Sequence, residues 1–236
     1  MKRTALLILL VLVLTAGSAF AHDMGDLMFN VDLQTGYLLS DIGVIVGGTR
    51  PGEYGWKKES FGFNIGLLGT VHYYFLDFVA LNAGVGIGVD INSVTYKDSP
   101  NHMDFAFLNV YPVIPVGLRF SFGAFAFGGG ITANIPVFSY SSLSENGLEK
   151  EKDEGFTMNK YMGWYGEIGF DLSGIKGRTG GFGLLFRVGG PFSDKIGETT
   201  SYYYGRKLEY NPFQYFNFAL VFQFANEMGN FPMGGY

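Results

Sequence analysis

The chain of 236 residues contains no cysteine, which excludes a disulfide framework and a lipid-modified N-terminal cysteine alike. Charge is scarce too: Asp, Glu, Lys and Arg make up 16%, against about a quarter in ordinary soluble domains. The balance is acidic, −5 net, and no basic stripe is present to neutralise phosphates. That argues against nucleic acid and gives no reason to expect attraction to anionic lipid surfaces. No later stretch reaches the ~20 consecutive apolar residues of a spanning helix. The apolar run at residues 5–14 is also too short. With Lys2 and Arg3 before it and Ala19-Phe20-Ala21 after it, it has the three parts of a secretory signal peptide. Residues 1–21 are therefore expected to be removed, leaving His22 first. Metal-ligand spacing, a phosphate loop and a nucleophile elbow are missing as well. Gly128-Gly129-Gly130 precedes no helical pattern, so a dinucleotide reading has no support. No metal, cofactor or catalytic residue is expected.

What is abundant is glycine, 36 residues, and aromatic side chains, 17%. Residues 81–92 show how they are arranged. Leu81, Ala83, Val85, Ile87, Val89 and Ile91 fall on one face of an extended chain, and Asn82, Gly84, Gly86, Gly88, Asp90 and Asn92 on the other. At ~3.3 Å per residue and a tilt of ~45°, twelve residues rise roughly 28 Å, the height of the ~25 Å apolar band of a membrane barrel. Glycine weakens a water-facing strand, whereas small residues suit a narrow lumen.

The same parity recurs along the chain. Strands are expected at residues 29–37, 61–68 and 81–92, in a fourth that contains Pro112 and Pro115 and is clearest over 114–121, and at 125–137, 161–172, 182–188 and 215–224. Pro112 and Pro115 each remove a ladder donor, so broken pairing or a bulge is expected in the fourth. The intervening segments read as loops at residues 41–59, 93–104, 139–157 and 191–212, with short turns between. His72-Tyr73-Tyr74-Phe75-Leu76-Asp77 reads as one of those turns. Long and short connections then alternate, as they do when extended outer loops face tight periplasmic turns. The 139–157 loop, with its acidic run, is expected to be the most exposed. Tyr37, Tyr73, Tyr74, Tyr161, Trp164, Tyr210 and Tyr215 stand near strand ends, where interfacial girdles form. A secreted β-sandwich is the main alternative, but its outer faces would need to be polar, and these are Gly and Asn.

This pattern resembles the small eight-stranded outer-membrane barrels of the OmpA/OmpX and OmpW types, over nearly all of the mature chain through Phe224. The resemblance implies an all-β, eight-stranded antiparallel up-and-down transmembrane β-barrel in the cell outer membrane, with the lipid bilayer as its surroundings. The strand at residues 216–224, apolar at alternate positions and ending in Phe, also resembles the carboxy-terminal signal read by the barrel-assembly machinery. The expected organisation is a barrel over residues 22–225 and a short tail over 226–236, which departs from that signal's usual place at the chain end.

Six charges share parity with the small inward residues: Asp32, Asp90, Arg119, Glu167, Asp171 and Arg187. Charge at lipid depth costs about 2–4 kcal/mol for Arg near the midplane, so these are expected to line the lumen. Two readings remain open. One is an ion-pair network that plugs the barrel, leaving a structural or surface-interaction role to four outer loops and an extracellular ligand. The other is a narrow channel for small polar or hydrophobic solutes, helped by empty space at Gly84, Gly86, Gly88, Gly128 and Gly130. Eight strands leave an interior that side chains nearly fill, which favours the plug. Asp90 meeting Arg187 would decide for it. Some small outer-membrane barrels that resemble this chain acylate or deacylate lipid A with His and Ser or Asp near the outer rim. Here only His102, near Asp98, Ser99 and Asp104, could serve, and a lone loop histidine is ordinarily solvated.

Overall fold

The computed structural model describes residues 22–46, 57–98, 101–145, 151–153, 157–174, 180–193, 197–198, 201–203 and 206–230. The strands are β1 (Asp26–Val46), β2 (Lys57–Leu76), β3 (Val79–Asp98), β4 (Asn101–Phe122), β5 (Phe125–Asn134) and β6 (Phe138–Glu145). Then come β7 (Glu151–Asp153), β8 (Thr157–Met158), β9 (Tyr161–Asp171), β10 (Gly180–Pro191), β11 (Gly197–Glu198), β12 (Ser201–Tyr203) and β13 (Arg206–Asn230). Antiparallel pairing runs β1–β2–β3–β4–β5–β9–β10–β13 and closes where β13 pairs with β1. Eight wall positions thus form a ring without a free edge, the arrangement that satisfies backbone groups in lipid.

The register of this ring can be followed residue by residue. From Met28 the cross-strand partners are His72, Asn82, Gly117, Gly130, Tyr165, Gly189 and Asn217, and the circuit returns to β1 at Leu38. The offset of ten residues is the stagger that goes with strands tilted by ~35–45°. Alternation is kept along the wall except at bulges, as at Val137 and Phe138, which are both exposed. Val85, Ile87, Phe61, Leu67 and Phe170 stand exposed on the outside, while Asn64, Asp90, Arg119, Glu167 and Gln223 are buried inside. An outer surface of large apolar side chains around a polar interior inverts a soluble protein. It is what a bilayer demands.

Several boundaries differ from the sequence expectation. Residues 93–98 and 101–104 are strand, not loop, so β3 and β4 run on to a connection at residues 99–100. Strands of 20 to 22 residues exceed what a bilayer needs and carry this side of the wall beyond the apolar band. His72 through Leu76 belong to β2, and the turn is Asp77-Phe78. The expected fifth strand breaks at residues 135–137, next to Pro136, and resumes as β6. There the β5–β6 side bulges against β4, with one residue more: Val113 pairs with Asn134 but Val110 with Phe138. The Pro112 carbonyl accepts from the Ile135 N–H and the Val110 carbonyl from the Val137 N–H. On its other side, β4 leaves β3 unpaired between Ala83↔Val116 and Gly86↔Val113. Both breaks fall where the prolines lack a donor. The early part of the expected acidic loop is therefore wall, and β7 folds back on β6. The last wall strand begins at Arg206, inside the expected 191–212 loop. It ends at Asn230, paired with Asp26, so the tail expected from Asn226 starts within the barrel.

Candidate functional site

The lumen fills from the end that carries both described termini. His22, just before β1, lies on the ring of Tyr74 with centroids 3.9 Å apart. Its Nδ1 is 3.7 Å from Asp26 Oδ2. Burial holds this imidazole below its usual 6.5, against the opposing pull of Asp171 and Asp26. The Tyr74 hydroxyl and Ser121 Oγ are 3.0 Å apart. Tyr74 therefore faces the lumen and not the girdle, because it shares inward parity with His72. Tyr161 likewise turns to the lumen, whereas Tyr37 is exposed. The Tyr210 and Tyr215 side chains lie outside the described residues.

Above His22, two arginines join four strands. Arg119, 1% exposed, donates from Nη2 to Asp171 Oδ2 at 2.6 Å. Its Nη1 stands 3.6 Å from Glu167 Oε1, an ion-pair contact too long for a hydrogen bond. Asp171 Oδ1 accepts from the Ser173 N–H at 2.9 Å and hydroxyl at 2.5 Å. The short 3-10 turn Leu172–Gly174 thus holds that carboxylate. Arg187 donates to Glu167 Oε2 from Nε at 3.0 Å and Nη2 at 2.7 Å. Asp32 Oδ2 is 3.5 Å from the same Nη2, and Asp32 Oδ1 accepts from Gln223 at 2.9 Å. Buried charges are tolerated when paired and hydrogen-bonded in this way. Five of the six expected charges form this one network.

Asp90 is the exception. It does not meet Arg187; its Oδ1 accepts from Asn64 Nδ2 at 2.5 Å and from the Tyr111 hydroxyl at 3.1 Å. The link to Arg187 runs through amides. Arg187 Nη1 donates to Gln34 Oε1 at 3.2 Å, and Gln34 Nε2 to Asn64 Oδ1 at 2.6 Å. Asn64 lies directly across from Asp90 on the neighbouring strand, and Gln34 is on the next strand over, so register sets this chain.

The inward glycines are not empty space, contrary to expectation. A Cβ on Gly130 would come within 2.1 Å of the Val116 carbonyl oxygen, and one on Gly86 within 2.4 Å of that of Leu67. Gly84 and Gly128 face backbone oxygens at 2.5 and 2.8 Å. At Gly88 the obstacle is the Tyr111 ring, whose carbons reach to 2.5 Å. Coiled strands bring neighbouring backbones together here, and large inward side chains lean sideways over the glycine of the next strand. Gly66 differs: its Cβ would meet Gln34 and Leu68 only at 3.5 Å, ordinary contact.

Open space lies instead on the far side of the network, in a cleft that opens to solvent. Leu68, Tyr111, Val113 and Pro115 form one side, and Gln34, Asn64, Asn217 and Arg187 contribute polar groups. Composition did not single out Asn64, Gln34 or Tyr111, although inward parity was a usable signal for each. His22 had no periodic signal. His102 is on β4, with Nε2 3.8 Å from Asp104 Oδ2 and both side chains exposed.

No family model matches the chain, and no curated protein sequence matches it. Among solved structures it is similar to the outer membrane protein OprG from Pseudomonas aeruginosa, at 14% identity and a TM-score of 0.46 over 87% of this chain and 97% of that one. It is also similar to the outer membrane protein AlkL, at 12% identity and 0.43 over 91% and 95%. For Ail, the attachment invasion locus protein of Yersinia pestis, the values are 11% and 0.34 over 85% and 99%. Likenesses this distant reach no further than barrel form. The closed ring of eight antiparallel wall positions itself gives the chain the fold of the small outer-membrane barrels.

Proposed function

We propose that this protein is a plugged integral outer-membrane barrel that acts through its outer-facing surface and does not carry solutes across the membrane. The observation that carries the reading is the network Asp171–Arg119–Glu167–Arg187–Asp32, which joins β1, β4, β9 and β10 through the lumen. Residues 1–21 act as the secretory signal, and the barrel-assembly machinery inserts the chain through its closing strand. The end with the longer connections faces outward and offers the acidic run within residues 139–157 to an extracellular ligand. No catalytic role is assigned to His102, and His102→Ala is expected to leave the acylation pattern of lipid A unchanged.

A narrow passage is the second reading, favoured by the cleft that descends to Arg187. Trypsin treatment of intact cells tests the first. Cleavage near Lys150 and Lys152, with a heat-modifiable barrel left in the outer-membrane fraction, supports it. Recovery of a soluble periplasmic protein overturns it. Liposome swelling separates the two readings, since a passage admits small solutes and a plug does not.

A further inference from the structure

We infer that the cleft above the plug is a binding site for a small uncharged polyhydroxylated molecule, with the chemistry of one monosaccharide unit. The inference concerns the cleft alone and holds whether or not the plug conducts.

The composition of the walls selects this class. One side is apolar and partly aromatic: Leu68, Tyr111 and Val113 form a buried cluster, and Pro115 continues it. The facing polar groups are amides and a hydroxyl, Gln34, Asn64, Asn217 and Thr132 among them. Such a cleft matches a ligand with one C–H face and a rim of groups that both donate and accept. A pyranose ring is built that way, its flatter face lying on an aromatic or aliphatic wall and its hydroxyls meeting amides.

Charge excludes the alternatives. Arg187 reaches the cleft, but its donors are engaged by Glu167, Asp32 and Gln34, which leaves little for an anion. Asp90 stands behind Asn64 and Tyr111 and binds both. Its carboxylate orients these two side chains and does not face a cation. A purely apolar ligand would cover Asn217 Oδ1, which has no partner among the described residues, without returning a hydrogen bond, at a cost of about 1–3 kcal/mol. The amides are also held in advance: Asn64 Oδ1 accepts from Gln34 at 2.6 Å and from Asn217 at 3.0 Å, and Thr132 Oγ1 accepts from Asn134 at 2.9 Å. A fixed polar side lowers the ordering penalty of binding.

Trp164 borders the cleft through its backbone while its side chain shares outward parity with Met162 and Ile168, so binding is read by calorimetry and not by its fluorescence. The refolded barrel is titrated in an isothermal calorimeter with glucose, galactose, mannose and N-acetylglucosamine. Glycine, methylammonium and acetate serve as charged controls. The expected result is a saturable heat change with at least one neutral sugar at millimolar concentration and none with the charged controls. Gly66→Leu, which directs a side chain into the cleft from a glycine whose Cβ fits, is expected to weaken binding at least tenfold with heat-modifiable migration retained. Asn217→Leu is expected to do the same by removing the amide oxygen that has no partner among the described residues. No saturation with any sugar up to 100-fold above that range overturns the inference, as do equal binding by folded Gly66→Leu or preference for a charged control. Titration in bilayers containing lipopolysaccharide distinguishes the source. Competition there identifies a sugar carried on lipid, and undiminished binding identifies a free one.

Discussion

The two halves of the lumen are built by the same alternation yet filled in opposite ways. Toward the end that holds His22, paired charges and leaning side chains leave no room; toward the loop end, amides and tyrosines surround open space. Strand parity decides only that a residue faces inward. What it meets there depends on the stagger of the ring, which sets the height at which each strand delivers its residue. Arg119, Glu167 and Asp171 arrive together and pair, whereas Asp90 arrives beside Asn64 and Tyr111 and away from either guanidinium.

The largest expected effect breaks the comparison at its backbone. Gly130→Ala places a methyl group within 2.1 Å of a wall carbonyl, and overpacking that cannot relax costs about 3 kcal/mol or more. Loss of the compact, heat-modifiable band on refolding is expected. Gly66→Ala, facing the cleft, should refold with its stability within about 0.5 kcal/mol of the parent.

Next comes the charged network. Arg119→Met leaves Asp171 buried without its arginine and Glu167 with Arg187 alone, and breaking a buried pair costs about 3–5 kcal/mol. Urea titration in detergent micelles should show it as a lower midpoint. Asp90→Asn, by contrast, keeps an acceptor for Asn64 and Tyr111 and should cost about 1 kcal/mol or less, in line with a neutral hydrogen bond. If the two substitutions proved equally damaging, the distinction between the halves would fail.

A pH effect sharpens the account of the floor. Because burial lowers the His22 imidazole in the folded state, the docked segment is favoured fully above the ordinary value of 6.5 and loses that advantage as pH falls below it. Lower amide protection factors at residues 22–25, taken against the intrinsic exchange rate at each pH, are the expected readout below pH 6.5. His22→Phe, which retains a ring against Tyr74, should abolish the pH dependence. Smallest of all is the exposed pair Lys97–Glu59, beyond the band. Lys97→Ala should shift stability by less than about 0.5 kcal/mol, as exposed ion pairs do.

The wall was legible in the sequence because lipid outside and crowding inside enforce a period of two. Phe29 through Tyr37 and Leu81 through Asn92 alternate between outside and inside as their residue types suggest. Boundaries were less legible. Ser93, Thr95 and Lys97 look like loop residues, yet beyond the apolar band a strand meets water on its outer face and tolerates polar side chains there. The glycines misled for another reason: composition records that a Cβ is missing, but only the register shows whether a carbonyl or a ring takes its place. The site was half legible. The charges were found from parity, and their partners were not, since Arg187 meets Gln34 across 153 positions of chain.

The most direct test of the closed lumen is single-channel recording of the purified barrel in planar bilayers. The network through Arg119 and Arg187 predicts no openings beyond detergent controls for the parent protein, and stepwise openings once both arginines are replaced by alanine in a barrel that still migrates as folded. Regular openings of the parent, unchanged by those replacements, would contradict it.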